Sequence, residues 1–272
     1  MYITNNTKVA EIAQNAGVDR IWVDMEWIGK EDRQAGMNTV KSHHTIDDII
    51  KLRPIVTSST LMARINPIHS ETKYYCDSKE EIEDTITAGA EVIMLPMFKT
   101  VKEVDKFIEY VSGRAKTQLL VETREAHLNI DRILEVPGID EIHIGLNDLH
   151  LAYGQKFMFE PLCDGKVEGM ANKFKEKGIK FGIGGIARLG KGILPAEYVI
   201  AEHYRLGSSA AILSRSFCDA NNVEDVESIR QLFTDEVKQI RLWEENVKVF
   251  SAYEFEKNKR LVQDKVSEII GK

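Results

Sequence analysis

The stretch EVIMLPMFKTVKEVDKFIEYVSGRAKTQLLVE, Glu91 to Glu122, reads as a strand, a helix and a second strand. EVIMLPM is a near-continuous apolar run, as expected of a strand buried on both faces of a parallel sheet. Thr100 can cap a helix whose Val101, Val104, Phe107, Ile108 and Val111 recur at helical spacing. The alternation extends in both directions. Strands are predicted at Met1–Thr4, Arg20–Met25, Leu61–Ile65, Glu91–Met97, Gln118–Glu122, Glu141–Gly145, Lys180–Gly184 and Ser209–Ser214. Pro137–Gly138 stops the helix after the fifth strand; Pro195 opens the one before the eighth, and Gly207 ends it.

Such a βα alternation either opens into a doubly wound sheet or closes into a barrel. No GxGxxG follows the first strand, so the dinucleotide signal of the open sheet is missing. Eight strands in 272 residues, near the ~250 of a typical barrel, favour closure. The expected fold is α/β: a (β/α)8 TIM barrel over residues 1–216, with a C-terminal helical extension over 217–272. Val237, Ile240, Leu242, Val247, Phe250 and Tyr253 give the extension apolar positions. It is expected either to cover the barrel base or to pack on a neighbouring subunit, and the subunit interface of a homo-oligomer is the preferred reading. A long insertion, roughly Trp27 to Thr60, carries KSHH at Lys41–His44.

Composition narrows the function classes. The chain is 43% hydrophobic and 29% charged, ordinary for a globular protein with a sizeable core. A net charge of −7 argues against a general nucleic-acid binder. No apolar run approaches the ~18 residues of a membrane span. Cys76, Cys163 and Cys218 are far apart and odd in number, which suggests reduced thiols. The start MYITNNTKVAEIA lacks the basic-then-apolar plan of a secretory signal, so a cytoplasmic location is expected.

A barrel builds its active site where the strands end. The second strand ends in Asp24 and Glu26, the third carries Arg64 followed by Asn66, and the fifth ends at Glu122. The sixth leads into Gly145, Leu146, Asn147 and Asp148, candidates to line a bound substrate. Glu122 and Asp148 terminate neighbouring strands, which lie about 4.8 Å apart. Two carboxylates that close repel unless a cation joins them, and a hard divalent ion suits such a pair. Helix capping is the competing reading for both acids. Arg64 fits stabilisation of an oxyanion or, equally, an ion pair with Asp24 or Glu26. His43 and His44 could reach the mouth from the insertion, whereas His143 lies within a strand and reads as buried. GIGGIARLGKG, Gly182–Gly192, holds five glycines; it could cradle a phosphate or simply make tight turns.

Four pieces together resemble the HpcH/HpaI aldolase and citrate-lyase β-subunit superfamily. They are VDME at Val23–Glu26, ARINP at Ala63–Pro67, EVIMLPMFKTVKEVDKF at Glu91–Phe107, and LLVETREAHLNIDRILEVPGIDEIHIGLNDLHLAYG at Leu119–Gly154. The resemblance implies that Glu122 and Asp148 ligate Mg²⁺, Mn²⁺ or another divalent metal, and that Arg64 contacts an enolate oxygen. It implies carbon–carbon lyase chemistry of the class II aldolase type on a 2-oxo acid such as pyruvate with an aldehyde partner. It also implies a homo-oligomer, trimer or hexamer.

One position departs from the pattern. The family's pyruvate aldolases follow acid–x–acid with histidine, where this chain has Trp27. Tryptophan is no base, so the candidates for the base are Glu26, His43, His44 or a metal-bound water; Arg64, Glu26, Asp24 and His44 are the expected catalytic residues. ARINP lies closer to the citrate-lyase branch, which keeps citrate-lyase-like, phosphoenolpyruvate-using and phospho-sugar-using lyases open, together with an inactive scaffold barrel.

Overall fold

The computed structural model describes residues 1–29, 43–214, 217–218 and 225–271. Eight parallel strands stand in sequence order. They are β1 (Tyr2–Ile3), β2 (Arg20–Asp24), β3 (Thr60–Arg64), β4 (Val92–Leu95), β5 (Lys116–Val121), β6 (Glu141–Ile144), β7 (Lys180–Ile186) and β8 (Ala210–Leu213). The first and last strands meet: Met1 N donates to Ala211 O at 2.9 Å and Leu213 N to Met1 O at 2.8 Å. The molecule is therefore a nearly closed (β/α)8 barrel followed by C-terminal helices, as the alternation predicts.

Helices return the chain between strands: α1 (Thr7–Asn15), α2 (Ile46–Leu52), α3 (Ser78–Thr87) and α4 (Val101–Val111) in the first half. The second half has α5 (Arg124–Leu128), α6 (Ile130–Ile133), α7 (Leu146–Ala152), α8 (Glu160–Cys163), α9 (Lys166–Glu176) and α10 (Ala196–Leu206). Local signals set several ends. Thr100 forms a capping box with Glu103 at the start of α4, and Gly207 closes α10 in the left-handed region at φ 80°.

Alternate residues of each strand face opposite ways, so the core has two parts. Outward side chains such as Ile93, Leu119, Ile142 and Ile183 bury against the helices. Inward ones, Met1, Trp22, Met62, Val92, Met94 and Leu120, fill the barrel. His143 sits among the inward positions, fully buried, with Nε2 at 3.1 Å from Gly184 O. Burial holds its pKa down at about 3, so the ring is neutral. Gly182 leaves it room: a Cβ there would lie 2.3 Å from His143 Nδ1 and 2.7 Å from Ala210 O.

Two long helices follow, α11 (Val226–Val247) and α12 (Ala252–Ile270). The first packs on α1 and α10, the second on α10 and α8. Phe233 of α11 lies edge-on to Tyr2 at 4.9 Å and to Phe217 at 5.3 Å. Ile229, Val237, Ile240 and Val262 are buried as well. These apolar positions, with Val247, thus find partners within the same chain, whereas Leu242 and Tyr253 stay exposed. The proposed boundary at 216 lies outside the described residues. No helix among the described residues is long and apolar enough to cross a membrane.

Candidate active site

The C-terminal ends of β2, β3, β5 and β6 converge on one mouth, and the acids expected there are brought together. Asp24, Glu26 and Glu122 are each buried, at 2%, 2% and 3% exposure, which places charge where water cannot screen it. Arg64 lies among them. Its Nε donates to Asp24 Oδ1 at 2.8 Å and its Nη2 to Asp24 Oδ2 at 2.9 Å, a fork-to-fork pair. Nη2 also lies 3.2 Å from Glu26 Oε2. The guanidinium sits over the Trp22 ring, 5.1 Å from its centroid. Burial alone would lower the Arg64 pKa; Asp24 and Glu26 outweigh that and raise it, so the cation is permanent. Its Nη1 makes no hydrogen bond among the described residues. Of the two readings open for Arg64, the ion pair is present, and one arm of the fork stays open.

Glu122 follows β5 directly. Its Oε1 accepts from Met97 N at 3.0 Å, and Met97 holds a left-handed backbone at φ 53°. The carboxyl is pushed well above the usual range by burial first, then by Asp148 and Glu26; Arg64 and the Met97 bond pull the other way. The negative charge here exceeds what one arginine balances. Gly145, at the start of α7, is required by this packing: a Cβ would lie 2.9 Å from both Glu122 Cβ and Glu122 Oε2. Asp148 falls in the first turn of α7. Leu146 is 1% exposed and packs against Gly184; Asn147 is half-buried.

The long connection after β2 reaches the acids. His44 accepts the Asp24 backbone N–H on Nδ1 at 3.0 Å, so in the neutral ring the proton resides on Nε2. His43 is exposed and lies against Trp27, ring centroids 4.4 Å apart. Lys41 and Ser42 lie outside the described residues.

Sequence reading overlooked Glu81. This α3 residue is 7% exposed and accepts from Asn66 Nδ2 at 2.8 Å and Asn66 N at 3.1 Å. Asn66 Oδ1 in turn accepts from Trp27 N at 2.8 Å and Ile28 N at 2.9 Å, tying the segment after Glu26 to the end of β3. The glycine-rich segment also differs from expectation. Gly182, Gly184 and Gly185 belong to β7, where close neighbours demand them, and only Gly190 and Gly192 remain in the loop.

Does the donor set suit a metal? Among the described residues no group of three or more His, Cys, Asp or Glu is arranged to hold an ion. A hard divalent cation needs fewer: one or two carboxylates suffice when water and substrate complete its shell. The raised Glu122 carboxyl beside Asp148 is what such a cation would relieve.

Comparison with known proteins places these features in context. The model of the family described as HpcH/HpaI aldolase/citrate lyase matches residues 1–158, which include every acid above and Arg64. Among solved structures, the chain is similar to an HpcH/HpaI aldolase from Desulfitobacterium hafniense DCB-2, at 16% identity over 88% of this chain and 91% of that one, TM-score 0.59. It is also similar to an HpcH/HpaI aldolase/citrate lyase family protein from Burkholderia cenocepacia J2315, at 14% identity over 89% and 94%, TM-score 0.61. A third is the citrate synthase SbnG, at 14% identity over 89% and 92%, TM-score 0.58. At these identities the structural likeness concerns the fold. No curated protein sequence matches.

Proposed function

We propose, on the premise that this chain belongs to the HpcH/HpaI aldolase/citrate lyase family, that it is a divalent-metal-dependent carbon–carbon lyase acting through the enolate of a 2-oxo acid. The observation that carries the reading is the buried Glu122 carboxyl beside Asp148, at a mouth where Arg64 is shared with Asp24 and Glu26. Glu122 and Asp148 would hold Mg²⁺ or Mn²⁺. Such an ion, when bound, supplies a Lewis acid for the negative charge of the enolate.

The chain's own residues do the rest. Arg64 keeps two of its donor positions on Asp24 and Glu26 and offers Nη1 to the oxygen on which charge develops. Donors fixed before reaction are worth roughly 2.7–4 kcal/mol each in such sites. Asp24 is a positioning residue, since its carboxylate is spent on Arg64. His44 Nδ1 already accepts the Asp24 backbone N–H, so that nitrogen is not the base. That leaves Glu26 to take the proton from the aldehyde-side hydroxyl in cleavage. Asn66 and Glu81 hold the backbone after Glu26 in place. Backbone groups of Gly145, Leu146 and Asn147 would line the bound acid. The glycines of β7 are taken up by packing, so no observation favours a phosphorylated partner.

The test is exchange of pyruvate methyl protons with deuterated water, followed by NMR, beside a pyruvate-release assay on hydroxy-oxo acids. Metal-loaded enzyme should exchange, and EDTA should stop it. Glu26→Gln should keep exchange while losing about 10²–10⁴ in cleavage rate. Absence of exchange with any divalent metal would overturn the reading.

A closed homo-oligomer also remains a proposal. Leu242, Val249 and Tyr253 of the extension are 51%, 81% and 77% exposed, and a partner subunit would cover them. Light scattering at micromolar concentration should give a multiple of the single-chain mass; the single-chain mass itself would remove the proposal.

A further inference from the structure

A cavity lies at the end of the barrel opposite the proposed active site, about 860 Å³ in volume and within the range of small-molecule sites. Arg20, Lys116, Glu141 and Lys180 line it, and each is the first residue of its strand, so it opens at the face away from the proposed active site. Apolar side chains such as Ile142, Phe181, Ile200 and Ile240 share the lining.

The charges there do not balance. The lining holds five side-chain cations, Arg20, Lys116, Lys175, Lys180 and Arg241, against three carboxylates, Asp19, Glu141 and Glu244. Every carboxylate is already committed to an arginine. Arg20 grips both oxygens of Glu141 at 2.5 and 2.6 Å, and Arg241 holds Asp19 at 2.8 Å and Glu244 at 2.9 Å. Gln118 Nε2 adds a 3.1 Å bond to Glu141. Lys116, Lys175 and Lys180 have no ion pair among the described residues. Lys116 and Lys180 nonetheless act on the Glu141 carboxyl: burial pushes its pKa up, the Arg20 bond and charge more than reverse that, and both lysines lower it further. Two uncommitted ammonium groups therefore flank one satisfied carboxylate, over an apolar floor, in a chain whose net charge is −7. An excess of positive charge in a concave, partly apolar site attracts a compact anion.

We infer that the base of the barrel is a binding site, separate from the catalytic mouth, for a small organic molecule carrying a doubly charged anionic group of the phosphomonoester kind. Lys116 and Lys180 meet the anion, and the apolar lining meets the body of the ligand.

The experiment is isothermal titration of the full chain in EDTA, so that no metal at the mouth can recruit the probe. Phenyl phosphate, inorganic phosphate and phenol are the probes. Phenyl phosphate should bind more tightly than phosphate, and phenol should not bind detectably. Because both lysines are exposed, Lys116→Met/Lys180→Met should melt as the wild type does, and it should bind phenyl phosphate about ten-fold or more weakly. Asp148→Asn, at the other end, should bind it unchanged. Added salt should weaken binding to the wild type more than to the double variant. Equal binding by wild type and double variant, absence of binding by the wild type, or loss of binding in Asp148→Asn would each overturn the inference.

Discussion

Glu122→Gln should remove activity and yet make the metal-free protein more stable at pH 8. Gln keeps the shape and can still accept the Met97 N–H on its amide oxygen, so the local packing survives. It cannot carry the charge that a divalent ion needs, and catalysis should fall at least about 10²-fold with divalent-ion affinity. The stability effect has the opposite sign. Burial, Asp148 and Glu26 raise the Glu122 pKa in the folded state above its unfolded value of 4.5. A carboxyl raised in this way favours the folded state only while protonated. Its disadvantage grows as pH rises above 4.5, where the unfolded chain sheds a proton that the folded chain retains. The variant, which does not titrate, should therefore gain in melting temperature over the wild type as pH rises, with the difference fading toward pH 4.5. Asp148→Asn should lose activity in parallel and should also relieve Glu122. Melting curves in EDTA from pH 4.5 to 8, beside metal titrations, check both halves. An Glu122→Gln protein that stays fully active after EDTA treatment, or that melts lower than wild type at pH 8, would remove Glu122 from the metal site. A site residue whose replacement stabilises the fold is the expected signature of function held against stability.

The strands were legible because parallel strands buried on both faces leave uninterrupted apolar runs, and EVIMLPM, whose Val92–Leu95 is buried throughout, is such a run. Their ends were less so. Val92–Leu95 is shorter than the apolar run that contains it, because Met97 turns into a left-handed conformation that no apolar pattern announces. Glu122 and Asp148 could be paired from chain order alone, since adjacent strands in a barrel fix which ends are neighbours. Arg64 could not be resolved between ion pair and oxyanion partner, because a fork with several donors can do both, and the geometry shows only the first. Glu81 was illegible for a different reason. An acid in the first turn of a helix is common for electrostatic reasons, and α3 carries Glu80 beside it. Only the fold reveals that one of the two turns inward to Asn66. The extension shows the limit of periodicity: a helical stripe states that a face is buried, not whether the burying surface belongs to the same chain.

Arg64→Ala and Arg64→Lys should separate what this side chain does for the fold from what it does for the reaction. Alanine removes the cation from Asp24 and Glu26, both 2% exposed, and leaves two buried carboxylates facing each other. Breaking a buried pair from one side costs about 3–5 kcal/mol, so Arg64→Ala should unfold at markedly lower temperature and denaturant concentration. Lysine keeps a charge at the site and should recover much of that loss. It cannot recover the fork: one ammonium cannot hold both oxygens of Asp24, reach Glu26 and still present a donor in the direction of Nη1. Arg64→Lys should therefore fold and bind divalent metal, yet exchange pyruvate methyl protons and cleave hydroxy-oxo acids at least about 10²-fold more slowly. Both reactions should fall together, because the arginine acts on the enolate that they share. Glu26→Gln, by contrast, should separate them. The NMR exchange and pyruvate-release measurements on the two arginine variants, each paired with a denaturation curve, give the comparison. If Arg64→Lys, folded and metal-loaded, exchanges and cleaves at the wild-type rate, then Arg64 serves only to neutralise Asp24 and Glu26, and the enolate oxygen is met by another donor.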